Sequence, residues 1–164
     1  SPPMPDLFQT PDDEALALVR RPLSESTHAA LAVQRPGAPG PSVTRIALAC
    51  DPTGAPMSLI STLAPHTAAL QADPACALLV GDPGAKGDPL THPRLTLHAT
   101  ARFVPVDAPE RPALRAHYLA QRPKAQLYVD FADFGFVLFD MADGLLNAGF
   151  GKASVLSPAD LNLA

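Results

Sequence analysis

The sequence predicts a mainly β domain with peripheral helices, arranged as a small antiparallel barrel of about six or seven strands. Short alternating or apolar runs recur along the chain. Twenty prolines and ten glycines punctuate those runs and mark its turns. The 164 residues are 47% hydrophobic and 17% charged, which suits one domain with a large buried fraction.

Taken in order, Thr10-Pro11-Asp12-Asp13-Glu14 reads as a helix start, with an N-cap, a proline at the first position and acids in the first turn. The helix is expected over Ala15–Arg20 with Leu16 and Val19 inward, and Pro22 stops it. Thr27–Gln34 alternates around Ala29, Leu31 and Val33 as a first strand, and Arg35–Pro41 is a loop of turn formers. Ser42–Cys50 is a second strand, with Thr44, Ile46, Leu48 and Cys50 on one face and Val43, Arg45, Ala47 and Ala49 on the other. Asp51–Gly54 turns the chain into a third strand from Met57, which predicts an antiparallel meander.

Ala64-Pro65 opens a short helix with Leu63, Ala68, Ala69 and Leu70 as its apolar face. Ala75–Val80 is an almost unbroken apolar strand, expected to be covered on both faces. A loop follows over Asp82–Pro93. Arg94–Val104 has the sharpest period: Arg94, Thr96, His98, Thr100 and Arg102 against Leu95, Leu97, Ala99, Ala101 and Phe103. Pro109–Gln121 reads as a helix, and Lys124–Phe131 as a further turn with Leu127 and Tyr128 inward. Phe134–Met141 and Leu145–Phe150 are the last two strands, joined through Ala142-Asp143-Gly144, and Ser157–Asp160 is a candidate start of a terminal helix. Residues 1–11 read as a flexible leading segment, 12–156 as the barrel domain and 157–164 as a tail.

A net charge of −4, no Trp and 5% aromatics give a nucleic-acid role no support. No stretch is long and apolar enough to span a membrane and no signal peptide is visible, so the expected location is cytoplasmic. Cys50 and Cys76 sit inside apolar runs and read as small buried hydrophobes. They form no metal-ligand cluster with the histidines, and no metal is expected.

The chemistry gathers at the junction of the third strand and the short helix, where Ser61, Thr62, His66 and Thr67 surround a helix N-terminus. Unpaired N–H groups and the helix dipole make such an end a seat for phosphate. A merely capped helix is the alternative. Arg45 shares a strand face with the small Ala47 and Ala49, where a flat ring could approach; it reads equally as a surface ion-pair partner.

The order of helix, three strands ending in Ser61-Thr62-Leu63-Ala64-Pro65-His66-Thr67, helix, and the strand Cys76-Ala77-Leu78-Leu79-Val80 resembles the FMN-binding split barrels related to pyridoxamine-5′-phosphate oxidase. Leu63-Ala64-x-His66-Thr67 resembles the haem-utilisation (HugZ-like) branch of that family. So do Gly87-Asp88-Pro89 before Arg94, His117-Tyr118-Leu119 with Pro123, Asp133-Phe134-Gly135 and Gly149-Phe150-Gly151. The resemblance covers roughly residues 12–156. It implies a split β-barrel homodimer with FMN in clefts at the subunit interface. The cofactor-contacting positions it implies are Thr44, Arg45, Ile46, Ala47, Ser61, Thr62, His66 and Thr67, with Lys86 as a compensating cation and Arg94 near the isoalloxazine. In the oxidases proper the last two phosphate positions are Arg and Lys; here they are His66 and Thr67, which removes fixed positive charge.

The first expectation is therefore an FMN-dependent oxidoreductase acting on a small-molecule substrate, with no catalytic acid–base pair or nucleophile evident. Pyridoxamine phosphate is not the expected substrate, because its additional cationic site is missing. Haem binding or haem breakdown is the second reading, without a histidine that stands out as iron ligand. A non-enzymatic flavin-binding module is the third.

Overall fold

The computed structural model describes residues 10–149 and 151–161. Helix α1 spans Asp13–Glu25, α2 Pro65–Ala72 and α3 Arg111–Gln121. The strands are β1 His28–Gln34, β2 Pro41–Ala47, β3 Ala49–Cys50, β4 Pro56–Ser61, β5 Ala75–Val80, β6 Arg94–Phe103, β7 Phe134–Asn147 and β8 Ala153–Leu156. All pairings are antiparallel, in the order β2-β1-β5-β6-β7-β4-β3, with β8 on the far half of β7. The mainly β split-barrel class is as the sequence predicts.

Leu48 makes this a barrel. The second strand is broken there, so that β2 pairs with β1 at one edge of the sheet and β3 pairs with β4 at the other. Consecutive residues thus tie the two edges together, and the sheet curls around a core of Leu31, Ile46, Leu78, Leu95, Leu97 and Phe139. Each fully buried leucine contributes about 2 kcal/mol through the apolar surface removed from water. The expected meander forms both of its hairpins, β1–β2 and β3–β4, but its second strand is divided between them, so that β2 and β4 lie across a split and are not paired. Ser58 crosses that split, its hydroxyl donating to the Ala47 carbonyl at 2.6 Å.

A second core lies on the other side of β4, where Met57, Leu59, Leu114, Tyr118, Val129 and Phe136 pack under α3. Tyr118 meets Phe136 edge-on, 5.5 Å between ring centres, a favourable aromatic geometry. The alternation in β4 is therefore buried on both faces, with Ile60 in one core and Met57 and Leu59 in the other.

Several local expectations are corrected. The α1 N-cap is Asp12 rather than Thr10, because its carboxylate accepts the Ala15 N–H at 2.8 Å. Pro22 lies inside α1, which continues to bury Leu23; Leu16 is only half-buried beside the buried Val19. Leu63 is 83% exposed and Leu127 80% exposed; Thr67, Ala69 and Leu70 turn inward on α2, and Ala125 and Val129 in the turn after α3. Strand β5 is covered on one face alone: Leu78 and Val80 are buried, whereas Ala75 and Leu79 are exposed.

The two final strands are one. Ala142 is the extra residue of a bulge, since His98 pairs with Asp143 and Ala99 with Met141. A Cβ at Gly144 would lie 2.9 Å from the Thr96 carbonyl oxygen, so the glycine permits close strand approach rather than a turn. Phe150 lies outside the described residues, as do residues 1–9 of the leading segment and 162–164 of the tail. Strand β8 has no counterpart in the sequence expectation. Ser157–Asp160 closes a turn through Ser157 and Asp160 hydrogen bonds, without a helix among the described residues. Cys50 and Cys76 are free and half-buried; burial raises both thiols, Cys76 to about 11. No helix among the described residues is long and apolar enough to cross a membrane.

Candidate functional site

The split between β2 and β4 opens into a groove of about 290 Å³. From β2 come Arg45, Ile46 and Ala47, and from β4 come Leu59, Ile60 and Ser61. His66 and Ala64 close it at the start of α2, and Tyr128 and Phe134 form an aromatic wall with ring centres 4.8 Å apart. The strand break at Leu48 creates this geometry, because a β2 continuous with β4 would seal the split with ladder hydrogen bonds.

Most of the residues singled out in the sequence converge here. Arg45, Ile46, Ala47, Ser61 and His66 line the groove directly. Thr44 stands behind it, its Oγ1 3.0 Å from His66 Nδ1. Thr67 is buried and donates its hydroxyl proton to the Ser61 carbonyl at 2.5 Å. Thr62 is exposed, and its backbone N–H donates to the Asp133 carbonyl at 2.7 Å. Arg94 and Lys86 do not line the groove. The Arg94 guanidinium donates to the Leu90 and His92 carbonyls, holding the loop before β6. Lys86 is exposed in that same loop, where its carbonyl pairs with His92 Nε2 at 2.7 Å.

Asp133 was not anticipated as part of the site. Ser61 Oγ donates to its carboxylate at 2.8 Å and accepts the Leu63 N–H at 3.1 Å. Tyr128, expected inward from the sequence, and Phe134 pack against the second core and also line the groove. The signal for Asp133 and Phe134 was present as the Asp133-Phe134-Gly135 motif, but nothing local to it points across 72 residues to Ser61.

Electrostatically the groove suits a flat, largely apolar ligand better than a phosphate. Burial lowers the His66 pKa, so its imidazole is held neutral. The Thr67 hydroxyl proton is already committed, and the Asp133 carboxylate sits just behind Ser61. Against these stands one guanidinium, Arg45, which has no acidic ion-pair partner among the described residues. The FMN phosphate expected from the resemblance would thus meet a single fixed cation and a nearby anion. No triad exists here, since His66 is bonded to Thr44 rather than to Ser61. Among the described residues no group of His, Cys, Asp and Glu could hold a metal ion by itself.

No family model matches the sequence. A stretch of 98 residues, 59% of the chain, is 43% identical to the chloroplastic non-canonical haem oxygenase HOZ of Arabidopsis thaliana. The match spans 28% of that protein's length. Among solved structures, the Agrobacterium tumefaciens protein Atu2129, of unknown function, is 32% identical with a TM-score of 0.79 over 100% of this chain and 65% of that one. A haem-binding protein from Mycobacterium smegmatis is 24% identical with a TM-score of 0.80, covering 93% of this chain and 61% of that one. A pyridoxinephosphate oxidase family protein from Clostridium acetobutylicum, 13% identical, has the same fold at a TM-score of 0.67 over 90% of this chain and 96% of that one.

Proposed function

Because the chain belongs to the split-barrel family related to pyridoxamine-5′-phosphate oxidase, in its haem-utilisation branch, we propose that it binds haem and serves haem breakdown. The observation that carries this reading is the 43% identity to a haem oxygenase over 98 residues. The groove supports it. Ile46, Leu59 and Ile60 give an apolar floor, Tyr128 and Phe134 an aromatic wall, and Arg45 a guanidinium of the kind that pairs with a propionate. Bound haem supplies the redox-active iron, while the protein supplies contacts, orientation and exclusion of water. The order of the two cofactor readings drawn from sequence is thereby reversed. An FMN oxidoreductase is the runner-up, favoured by Arg45 beside the α2 N-terminus.

The subunit arrangement is part of the same proposal. The outward face of β1, β2 and β5 carries Ala32 registered beside both Val43 and Ala77, and Ala30 beside Leu79, with Arg45 as the charged residue next to Ala30. Val43 is 66% and Leu79 47% exposed. A homodimer through this face would cover them.

Visible spectra of the purified protein, taken with haemin and with FMN before gel filtration, test the cofactor. A Soret band that co-elutes with the protein is the expected result. A co-eluting flavin double band with no haem uptake would return the oxidoreductase to first place.

A further inference from the structure

Resting on the haem reading, the geometry assigns His66 as the side chain that ligates the haem iron, through Nε2. Among the described histidines it is the one that lines the groove. Its Nδ1 faces Thr44 Oγ1 at 3.0 Å. Ligation through Nε2 needs the ring proton on Nδ1, and the Thr44 hydroxyl oxygen is placed to accept it there. A hydrogen bond of this kind fixes the tautomer and orientation of a metal-bound imidazole. The lone pair on Nε2 then joins the iron with no proton to lose and no change in oxidation state.

The other histidines are occupied differently. His92 is spent on its loop, with Nδ1 accepting the Gly84 N–H at 3.1 Å and Nε2 2.7 Å from the Lys86 carbonyl oxygen. His28 Nε2 lies 2.7 Å from the Asp82 carboxylate, and His28 Nδ1 3.0 Å from Thr27 Oγ1. His98 pairs with Asp143 at 2.6 Å and stands over a shallow hollow that includes Ala32, Ala75 and Ala77, with neither an aromatic wall nor a cation. His117 lies on α3 and lines none of the grooves described. His66 alone combines a free ring nitrogen, an apolar floor, aromatic rings and Arg45. Burial also keeps its imidazole neutral, the form that binds iron.

The test is haemin titration of the apo-protein, read by absorption and, after reduction, by resonance Raman spectroscopy. The expected wild-type signature is a single-imidazole complex, high-spin in the ferric state and showing an iron–histidine stretch in the ferrous state. His66→Ala is expected to lose that stretch and at least tenfold in haemin affinity, and added imidazole to restore it. His98→Ala is expected to behave as wild type. Equal unfolding midpoints of the apo-proteins separate lost ligation from lost fold, and imidazole rescue does so independently. If His66→Ala binds haemin with the wild-type spectrum and affinity, the assignment is overturned while the haem reading stands. If the wild type takes up no haemin, the haem reading itself is overturned.

Discussion

The Arg122 guanidinium donates to the carbonyl of Leu48 at 2.7 Å, at the residue where the second strand breaks. The same group donates to the Ser26 carbonyl at 2.9 Å, which ties the end of α1 to the break. Gln121 reinforces the next step of the chain: its side-chain oxygen accepts the Cys50 N–H at 2.9 Å and its amide nitrogen donates to the Cys50 carbonyl at 2.8 Å. Two side chains at the end of α3 thus satisfy the backbone groups that leaving a sheet would otherwise orphan. Replacing Arg122 by Met keeps the apolar stem but strands the two carbonyls. The expected cost is about 2–3 kcal/mol, the usual range for losing charged hydrogen bonds to half-buried acceptors. Urea unfolding should show a lower midpoint at an unchanged slope; an unchanged midpoint would show that water replaces the guanidinium freely.

That closure explains what the sequence could and could not disclose. Period-two patterning is local, so β1 and β6 were legible from their residues alone. The break at Leu48 is not local, because Ser42–Cys50 alternates without interruption and the partners that divide it lie on α3. Ala142-Asp143-Gly144 has the composition of a turn, yet ten residues of β6 pair across it and convert it to a bulge. Leu63 and Leu127 misled for the opposite reason: a leucine beside a helix start carries no statement about which side is covered. At the site, Arg45, Ser61 and His66 were legible because chemistry and chain proximity coincide. Asp133 and the aromatic wall were not, because the barrel alone brings them to α2.

The placement of Asp133 leads to a gain-of-binding prediction. Its carboxylate accepts from Ser61 Oγ, and an Asn at that position keeps an oxygen for the same bond while removing the charge. Asp133→Asn should therefore tighten FMN or inorganic phosphate binding by about fivefold, or about 1 kcal/mol, the scale of one charge interaction at close range with water-like screening. Calorimetric titration of both proteins with FMN checks this. Equal affinities would place the phosphate away from Ser61 altogether.

His66 gives the apo-protein a pH dependence of defined sign. Burial lowers its folded-state pKa below the ordinary value near 6.5, so the unfolded chain binds the proton first as pH falls. Stability from the neutral imidazole is complete above about pH 6.5 and declines through the window below it. In His66→Gln this loss is absent. The stability difference between wild type and His66→Gln should therefore move against the wild type between about pH 7 and pH 5. Parallel curves in urea unfolding across that range would mean that His66 is as well solvated in the native state as in the unfolded chain.

Leu79 tests the proposed association. It projects from β5 on the face opposite Leu78 and Val80, half-exposed and registered beside Ala30 on one side and Thr96 on the other. The described residues of its own chain leave 47% of it uncovered. A single exposed leucine is unremarkable, but here Leu79 shares its face with Ala30, Ala32, Ala77 and the exposed Val43, an apolar strip bordered by Arg45 and Thr96, the kind of surface that a second copy buries. Arginine at this position would place a charge at the centre of the interface without touching either core. Leu79→Arg should shift light-scattering mass from dimer to monomer at micromolar concentration, with the unfolding transition of the monomer retained. A wild-type protein that is already monomeric under those conditions would remove the homodimer from the proposal, and the groove between β2 and β4 would then have to bind its ligand within one chain.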